Sequence, residues 1–286
     1  MSAKLQMALS MAIYGTISLL VRHIPLTSPE VALCRAAIAT MCLLLFKLSR
    51  GRRPTLRGLG GDVPLLFLSG AAMGFNWIFL FEAYKYTTVS VATLSYYFAP
   101  VLVMLACPVL FHERLTAKQV LCFVGSTVGL VLVINPAGFS AGGSHLRGVA
   151  CGLAAAALYA SVILMNKGMT RASGLDRTLW QFAAAALVLL PYVLLTGGLH
   201  LEALDGPGWA ALFTLGVVHS GVAYVLYFTA LGRLPGQETA ILSYIDPLVA
   251  VALSLTVLGE PVAPLQIVGG VLILAFTLVN ELRYSR

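Results

Sequence analysis

The chain has 286 residues, of which 59% are hydrophobic and only 10% are charged. A soluble domain carries about 25% charged residues, so this composition and a mean hydropathy of +0.91 exclude an ordinary soluble protein and indicate a membrane protein. The net charge of +7 would suit a nucleic-acid-binding protein, but the basic residues lie between apolar segments instead of forming one patch.

Ten apolar segments approach the length that a bilayer-spanning helix needs, which is about 20 residues. Their connections are short, so the sequence predicts an all-α integral membrane protein of ten transmembrane helices without a soluble domain. The first segment follows Lys4 as a signal peptide would, but no cleavage site of small residues follows it, so we expect a retained helix. In chain order the segments are 4–21, 31–48, 63–83, 88–110, 116–135, 147–167, 177–196, 207–231, 237–258 and 263–282.

Alternate connections differ in their content of basic residues. Fourteen of the 18 Lys and Arg residues lie on one side, and only Arg22, Arg35, Lys85 and Arg147 lie on the other. Because cytoplasmic loops are enriched in Lys and Arg, we expect a multi-pass protein of the cell (inner) membrane with both termini in the cytoplasm. The positive charge is therefore a topology signal, and we expect no nucleic-acid partner.

The two halves of the chain share a pattern at a constant separation of 147 residues. A repeat of this size sets the architecture, and it divides the chain into residues 1–140 and 141–286 with five segments each. Because five is odd, the second half enters the membrane from the opposite side, so the two five-helix repeats are inverted. The identical pairs are Ala83/Ala230, Tyr97/Tyr244, Pro100/Pro247, Glu113/Glu260 and Gln119/Gln266.

This pattern resembles the drug/metabolite transporter superfamily, EamA type, over nearly the whole chain. The resemblance rests on the ten-helix duplication, on Pro100 and Pro247 in the fourth and ninth segments, and on the acid after each, Glu113 and Glu260. Many members carry a Trp-Gly pair in the first helix, where this chain has Tyr14 before the glycine. The resemblance implies a secondary transporter of small metabolites, often an exporter of amino acids, without naming the substrate.

Three titratable side chains are candidates for proton coupling. Asp246 precedes Pro247 near the middle of the ninth segment, where a carboxylate costs about 2.5–3.5 kcal/mol and is a candidate cation or proton site. A protonated Asp bonded to a neighbouring helix is the alternative. His219 lies in the middle of the eighth segment and is a natural proton carrier, although a lone His is more often a packing residue. Glu82 ends the third segment near Lys85, and an ion pair at the outer mouth is the alternative.

Aromatic rings cluster at mid-membrane depth, whereas belts of Trp and Tyr normally lie at helix ends. With the polar side chains beside them, they predict a wet central cavity for an amino acid, or for a cation attracted to ring faces. Helix packing is the alternative for any one ring. Pro100 and Pro247 are candidate hinges, and Arg35 and Lys85 are expected to be too peripheral to hold an anion. The predicted substrate-binding residues are Tyr14, Asn76, Trp77, Tyr97, His219, Tyr224, Ser243, Tyr244 and Asp246.

Other chemistry is not indicated. Residues 138–142 fit the G-x-S-x-G pattern of hydrolases but lack its strand-and-helix context, so we expect no enzyme. The five cysteines show no metal-ligand spacing, so we expect no metal and no cofactor. We expect a secondary transporter that exports amino acids or related compounds by alternating access. The alternative is proton-coupled uptake of a small organic cation such as a quaternary amine. The expected partners are a small-molecule substrate, the lipid bilayer and protons, with a monomer or a homodimer left open.

Overall fold

The fold is all helical over the part of the chain that the computed structural model describes. No strand occurs in those residues. Glu113 and the G-x-S-x-G pattern at 138–142 lie outside them. The described residues are 1–51, 59–111, 116–134, 143–169, 171, 174–231, 233–234 and 236–281.

Ten apolar helical spans form the bundle within these ranges. Seven are long and apolar enough to cross a membrane, and three are shorter apolar helices. The prediction of a ten-helix membrane fold is therefore confirmed. The spans are α1 (Ala3–Val21), α2 (Ser28–Ser49), α3 (Val63–Tyr86), α4 (Val89–Leu110), α5 (Ala117–Ile134), α6 (Gly143–Gly168), α7 (Gly174–Thr196), α8 (Gly206–Leu231), α9 (Gly236–Ser243 and Ile245–Thr256) and α10 (Pro264–Glu281).

Four spans are irregular near their middle. The breaks in α4 and α9 include Tyr97 and Tyr244, each three residues before a proline. Proline has no N–H group, so the carbonyl four residues earlier loses its helical hydrogen bond. The same local chemistry therefore breaks the same position in both halves. In addition, α1 is interrupted at Thr16, and α8 contains a π-helical turn over Thr214–Val222.

The start of α2 differs from the predicted position by three residues. The helix begins at Ser28 instead of 31 because Thr27 and Glu30 form a capping box. In it, the Thr27 backbone N–H donates to Glu30 Oε2 at 2.8 Å. At the same end of the bundle, α3 continues to Tyr86 instead of ending at 83. The earlier start of α2 places its side chains deeper in the span than the sequence suggests.

Helix packing is symmetric under exchange of the two halves. α3 packs against α6 and α7, as α8 packs against α1 and α2. α4 contacts α6, as α9 contacts α1, while α2–α7, α4–α9 and α5–α10 are pairs of equivalent helices. α5 and α10 meet closely, since a Cβ added at Gly129 would lie 2.7 Å from the Gly269 carbonyl oxygen. The inverted pair of five-helix halves thus encloses α1, α3, α6 and α8, with α5 and α10 as a brace.

The two ends of the bundle carry different polar contacts. We call the end with the chain N-terminus the near end, and the end with loops 22–27, 87–88, 197–205 and 257–263 the far end. At the near end, Lys4 pairs with Glu238 at 2.9 Å in an exposed position. At the far end, Arg22 pairs with Glu260 in a mostly buried one. Both pairs connect α1 to α9 or to the loop that follows it.

Candidate functional site

A hydrogen bond joins the two halves at their matching helix breaks. The Tyr97 hydroxyl, at the break in α4, donates to Asp246 Oδ2 at 2.8 Å. Asp246 is the second residue after the break in α9, and it is partly buried. A hydrogen bond to a carboxylate is roughly twice as strong as one between neutral groups. The contact therefore links both breaks through the predicted mid-membrane acid.

α1 approaches α9 closely at the backbone of Asp246. A Cβ added at Gly15 would lie 2.7 Å from the Asp246 carbonyl oxygen and 2.7 Å from Val249 Cβ. Both distances are too short for a real side chain, so only glycine permits this crossing. The glycine of the Tyr-Gly pair in the first helix thus has a packing role at the site.

The π-helical turn of α8 positions His219 for two hydrogen bonds. Its side chain is buried, with Nε2 2.8 Å from Thr16 Oγ1 and Nδ1 3.2 Å from the Thr214 carbonyl oxygen. Thr16 Oγ1 also lies 2.7 Å from the Ile13 carbonyl oxygen. His219 therefore contacts the break in α1. There the Thr16 hydroxyl can donate either to His219 Nε2 or to the Ile13 carbonyl oxygen.

Arg35 lies inside the bundle, so the prediction of a peripheral position was wrong. The residue is 3% exposed, and its guanidinium carbon lies 4.5 Å from the centre of the Trp77 ring. Its Nε–H donates to Ser220 Oγ at 2.8 Å. Because α2 begins at Ser28, Arg35 is seven residues, or about 10 Å, inside the span at about 1.5 Å per residue. The signal that sequence reasoning missed was the capping box at Thr27.

Four of the predicted aromatic residues belong to two groups of ring contacts. Trp77, Phe182, Tyr224 and Tyr14 form a chain of rings with neighbouring centroids 4.9–5.4 Å apart. Tyr96 contacts Tyr97 at 6.1 Å and Tyr159 at 5.4 Å. The wet cavity expected between these rings stays a prediction. The first group runs from Arg35, which lies against Trp77, to Tyr14, which directly precedes the glycine that packs against the Asp246 backbone.

The remaining predicted site residues have varied surroundings. The Asn76 amide donates to the Ala155 carbonyl at 2.6 Å, so it connects α3 to α6. Ser243 ends the first piece of α9, directly before the buried Tyr244. Glu82 lies at the far end and pairs with Lys85 at 3.3 Å. The fold thus brings most of the predicted aromatic residues, His219 and Asp246 into one region, whereas Glu82 lies at the far end of the bundle.

The two candidate hinge prolines lie just beyond the helix breaks. Pro247 is buried, and Pro100 is partly buried. Each stands three residues after the tyrosine at its break. A bend at these positions would move the part of each helix after the proline relative to the part before the break.

Glu260 forms contacts with several helices at the far end. Its carboxylate accepts from Arg22 of α1, from the Val89 backbone N–H at 2.8 Å, and from the Ser254 hydroxyl. Arg22 also reaches the Tyr84 carbonyl oxygen at 3.4 Å. Sequence reasoning missed this cluster because Arg22 is remote in the chain. An open vestibule of about 550 Å³ adjoins it, lined by Arg22, Tyr84, Lys85, Tyr86, Thr87, Thr88, Ser144, His145 and Glu260.

No group of three or more His, Cys, Asp or Glu side chains could hold a metal ion among the described residues. Four charged or polar groups of the site come from four different helices: Arg35 on α2, Tyr97 on α4, His219 on α8 and Asp246 on α9. Such an arrangement suits reversible binding of a small polar molecule between helices.

Comparison with known proteins identifies the family. The profile of the EamA-like transporter family matches residues 1–135 and again residues 146–281. The chain is 30% identical to "Uncharacterized transporter YxxF" of Bacillus subtilis, over 98% of this chain and 90% of that protein. It is 28% identical to a "Probable terminal-alkyne amino-acid exporter" of Streptantibioticus cattleyicolor, over 89% of this chain and 84% of that one.

A solved crystal structure has the same fold. It superposes with a TM-score of 0.65 at 21% sequence identity, and 99% of each chain is covered. Similarity at this level of identity shows the fold alone. The family match over both halves and the relative at 30% identity go further: this chain is a membrane transporter that belongs to the EamA-like transporter family.

Proposed function

We propose that the protein is a secondary active transporter that exports amino acids or related metabolites by alternating access. The observation that carries this proposal is the bond from the Tyr97 hydroxyl to Asp246 between the two helix breaks. In transporters built from inverted repeats, substrates bind near mid-membrane at the interface of the repeats, beside interrupted helices. The relative with 28% identity is named a "Probable terminal-alkyne amino-acid exporter", which supports amino acids or related metabolites as the substrate class.

Alternating access requires that one end of the bundle closes while the other opens. In our proposal, residues 1–140 and 141–286 are the two inverted repeats, and Pro100 and Pro247 are their hinges. Glu260 closes the far end by holding Arg22 and the first turn of α4. The near end faces the cytoplasm of the inner membrane, so closure at the far end corresponds to a state without access from outside.

Protons or exchange of substrates provide the driving force in this scheme. A neutral His219 that is protonated at Nδ1 donates to the Thr214 carbonyl and accepts the Thr16 hydroxyl at Nε2. When the ring carries both protons, Nε2–H donates to the Thr16 oxygen, whose hydroxyl then donates to the Ile13 carbonyl. Both protonation states therefore keep complete hydrogen bonds, which suits His219 to taking up and releasing a proton.

Flux through purified protein in liposomes tests the proposal. Liposomes preloaded with an unlabelled amino-acid mixture are given labelled leucine, phenylalanine or choline outside, and counterflow is measured. We expect accumulation of an amino acid by the wild type and its loss in Asp246→Asn, with little change in thermal unfolding. Glu238→Gln is the matched control, because it alters an exposed acid on the same helix.

Two results would contradict the proposal in different ways. Wild-type rates in a well-folded Asp246→Asn variant would remove the acid from the mechanism. Uptake of choline driven by a proton gradient, without amino-acid counterflow, would favour the alternative of an organic-cation importer. Both outcomes are measured with the same preparation.

A further inference from the structure

Arg35 is a buried cation whose donors are mostly unused. A guanidinium has five N–H donors, yet within the described residues its only hydrogen bond is from Nε to Ser220 Oγ. Its other close neighbours are the ring faces of Trp77 and Phe81, at 4.5 and 5.9 Å. No carboxylate of the described residues lies within ion-pair distance of it. Charged side chains at membrane depth are normally paired or functional. Arg35 has no ion-pair partner among the described residues, so a ligand can supply its counter-charge.

The orientation of the guanidinium is fixed by its surroundings. Trp77 lies against the group, and Ser220 holds the Nε edge. Ser220 in turn donates to the Leu215 carbonyl five residues earlier, at 3.3 Å, a contact that the π-helical turn of α8 provides. π-Helical turns of this kind are frequent at functional sites. The two terminal nitrogens are thereby left as a planar fork, which matches the two oxygens of a carboxylate.

Asp246 supplies the opposite charge in the same region. Among the described residues it forms no ion pair with Arg35. The rings from Trp77 to Tyr14 connect the surroundings of the two charges, because Trp77 lies against Arg35 and Gly15, directly after Tyr14, packs against the Asp246 backbone. The Tyr14 hydroxyl is buried and has no hydrogen-bond partner within the described residues. A region with a cation, an anion and aromatic rings beside both complements a zwitterion.

We propose that Arg35 binds the carboxylate of an α-amino acid whose ammonium group is held by Asp246. This inference rests on the proposed function and names the substrate class of the same site. A quaternary amine would satisfy Asp246 alone and leave Arg35 without a counter-charge, and an organic anion would do the reverse. Only a zwitterion neutralises both charges while its side chain lies among the rings.

Ligands that lack one charge separate the two roles. Binding of leucine and phenylalanine, of their methyl esters and of their N-acetyl derivatives is measured by calorimetry on the purified full chain. The ester lacks the carboxylate, and the N-acetyl derivative lacks the ammonium. We expect the wild type to bind the free amino acid about 10–100-fold more tightly than either derivative, because each loses a charge-assisted contact.

Variants assign each charge to a residue. We expect Arg35→Met to lose about 10–100-fold affinity for the amino acid while its affinity for the methyl ester stays unchanged. We expect Asp246→Asn to lose about 10–100-fold affinity for the amino acid while its affinity for the N-acetyl derivative stays unchanged. Arg35→Lys keeps the charge without the fork and should retain part of the preference. Glu238→Gln, at an exposed near-end pair, should bind like the wild type.

The outcomes distinguish this inference from the function on which it rests. A folded Arg35→Met variant that still prefers the amino acid over its ester by the wild-type ratio would overturn the role of Arg35. If Arg35→Met does not fold, Ser220→Ala tests the same point, since it releases Nε and should reduce amino-acid binding more than ester binding. A wild-type protein that binds choline and no amino acid would overturn both the inference and the proposed function.

Discussion

Replacing Glu260 by Gln should open the far end of the transporter. The Glu260 side chain is 10% exposed and accepts from Arg22, from the Val89 backbone and from Ser254. A hydrogen bond to a charged group contributes about 1.5–3 kcal/mol, but Arg22 is 31% exposed, so solvent screens part of the ion pair. We therefore expect a loss of about 2 kcal/mol from the closed state, which is about a 30-fold shift in the open-to-closed ratio.

Distances between spin labels measure this shift directly. Labels at Lys85 and Val257, in a background without the native cysteines, report the separation of α3 and α9 at the far end. We expect Glu260→Gln to raise the population at longer distance by roughly the factor above. Glu238→Gln is the control, because its pair with Lys4 is exposed and contributes about 0–1 kcal/mol. Identical distance distributions in Glu260→Gln and the wild type would refute the role of this cluster in closure.

Three further substitutions probe the site and its frame. Tyr97→Phe removes the bond to Asp246 and should lower counterflow by about 10–100-fold with a small change in thermal unfolding, since the ring is retained; unchanged flux would contradict this. Gly15→Ala places a Cβ 2.7 Å from a carbonyl oxygen of α9 and should destabilise by about 1–3 kcal/mol, whereas Gly197→Ala, in open space, should not; equal unfolding temperatures would argue against the close crossing. Asp205→Ala removes the N-cap of α8 and should lower stability by about 0.5–2 kcal/mol in denaturant unfolding without altering substrate affinity.

Much of the fold follows from local chemistry that the sequence displays. The ten apolar segments predicted the spans, and the prolines at 100 and 247 indicated where α4 and α9 are interrupted. Asp246 was identifiable because an acid at mid-membrane stands out against an apolar segment. Its hydrogen bond to Tyr97 could not be predicted from the sequence, because it joins residues 149 positions apart in the chain.

Other features of the site depend on structure that has no simple sequence signal. The π-helical turn of α8 contains no proline, and it is what turns His219 toward Thr16. An apolar segment that begins at 31 places Arg35 near its end and thus at the periphery. Three residues of helix before that point, fixed by a cap, are enough to place this cation inside the bundle.

The contact between Glu260 and the Val89 backbone N–H has a consequence for the energy landscape of transport. Gly236, at the start of α9, is 147 residues after Val89, as Glu260 is 147 residues after Glu113. The sequence repeat thus pairs an acid with a helix N-terminus of the same kind in each half. If the near end closes with these matching parts in the proposed transport cycle, the two closures have similar free energies, and the empty protein has two wells of nearly equal depth. A substrate would then need only a small difference in affinity to move the population from one well to the other.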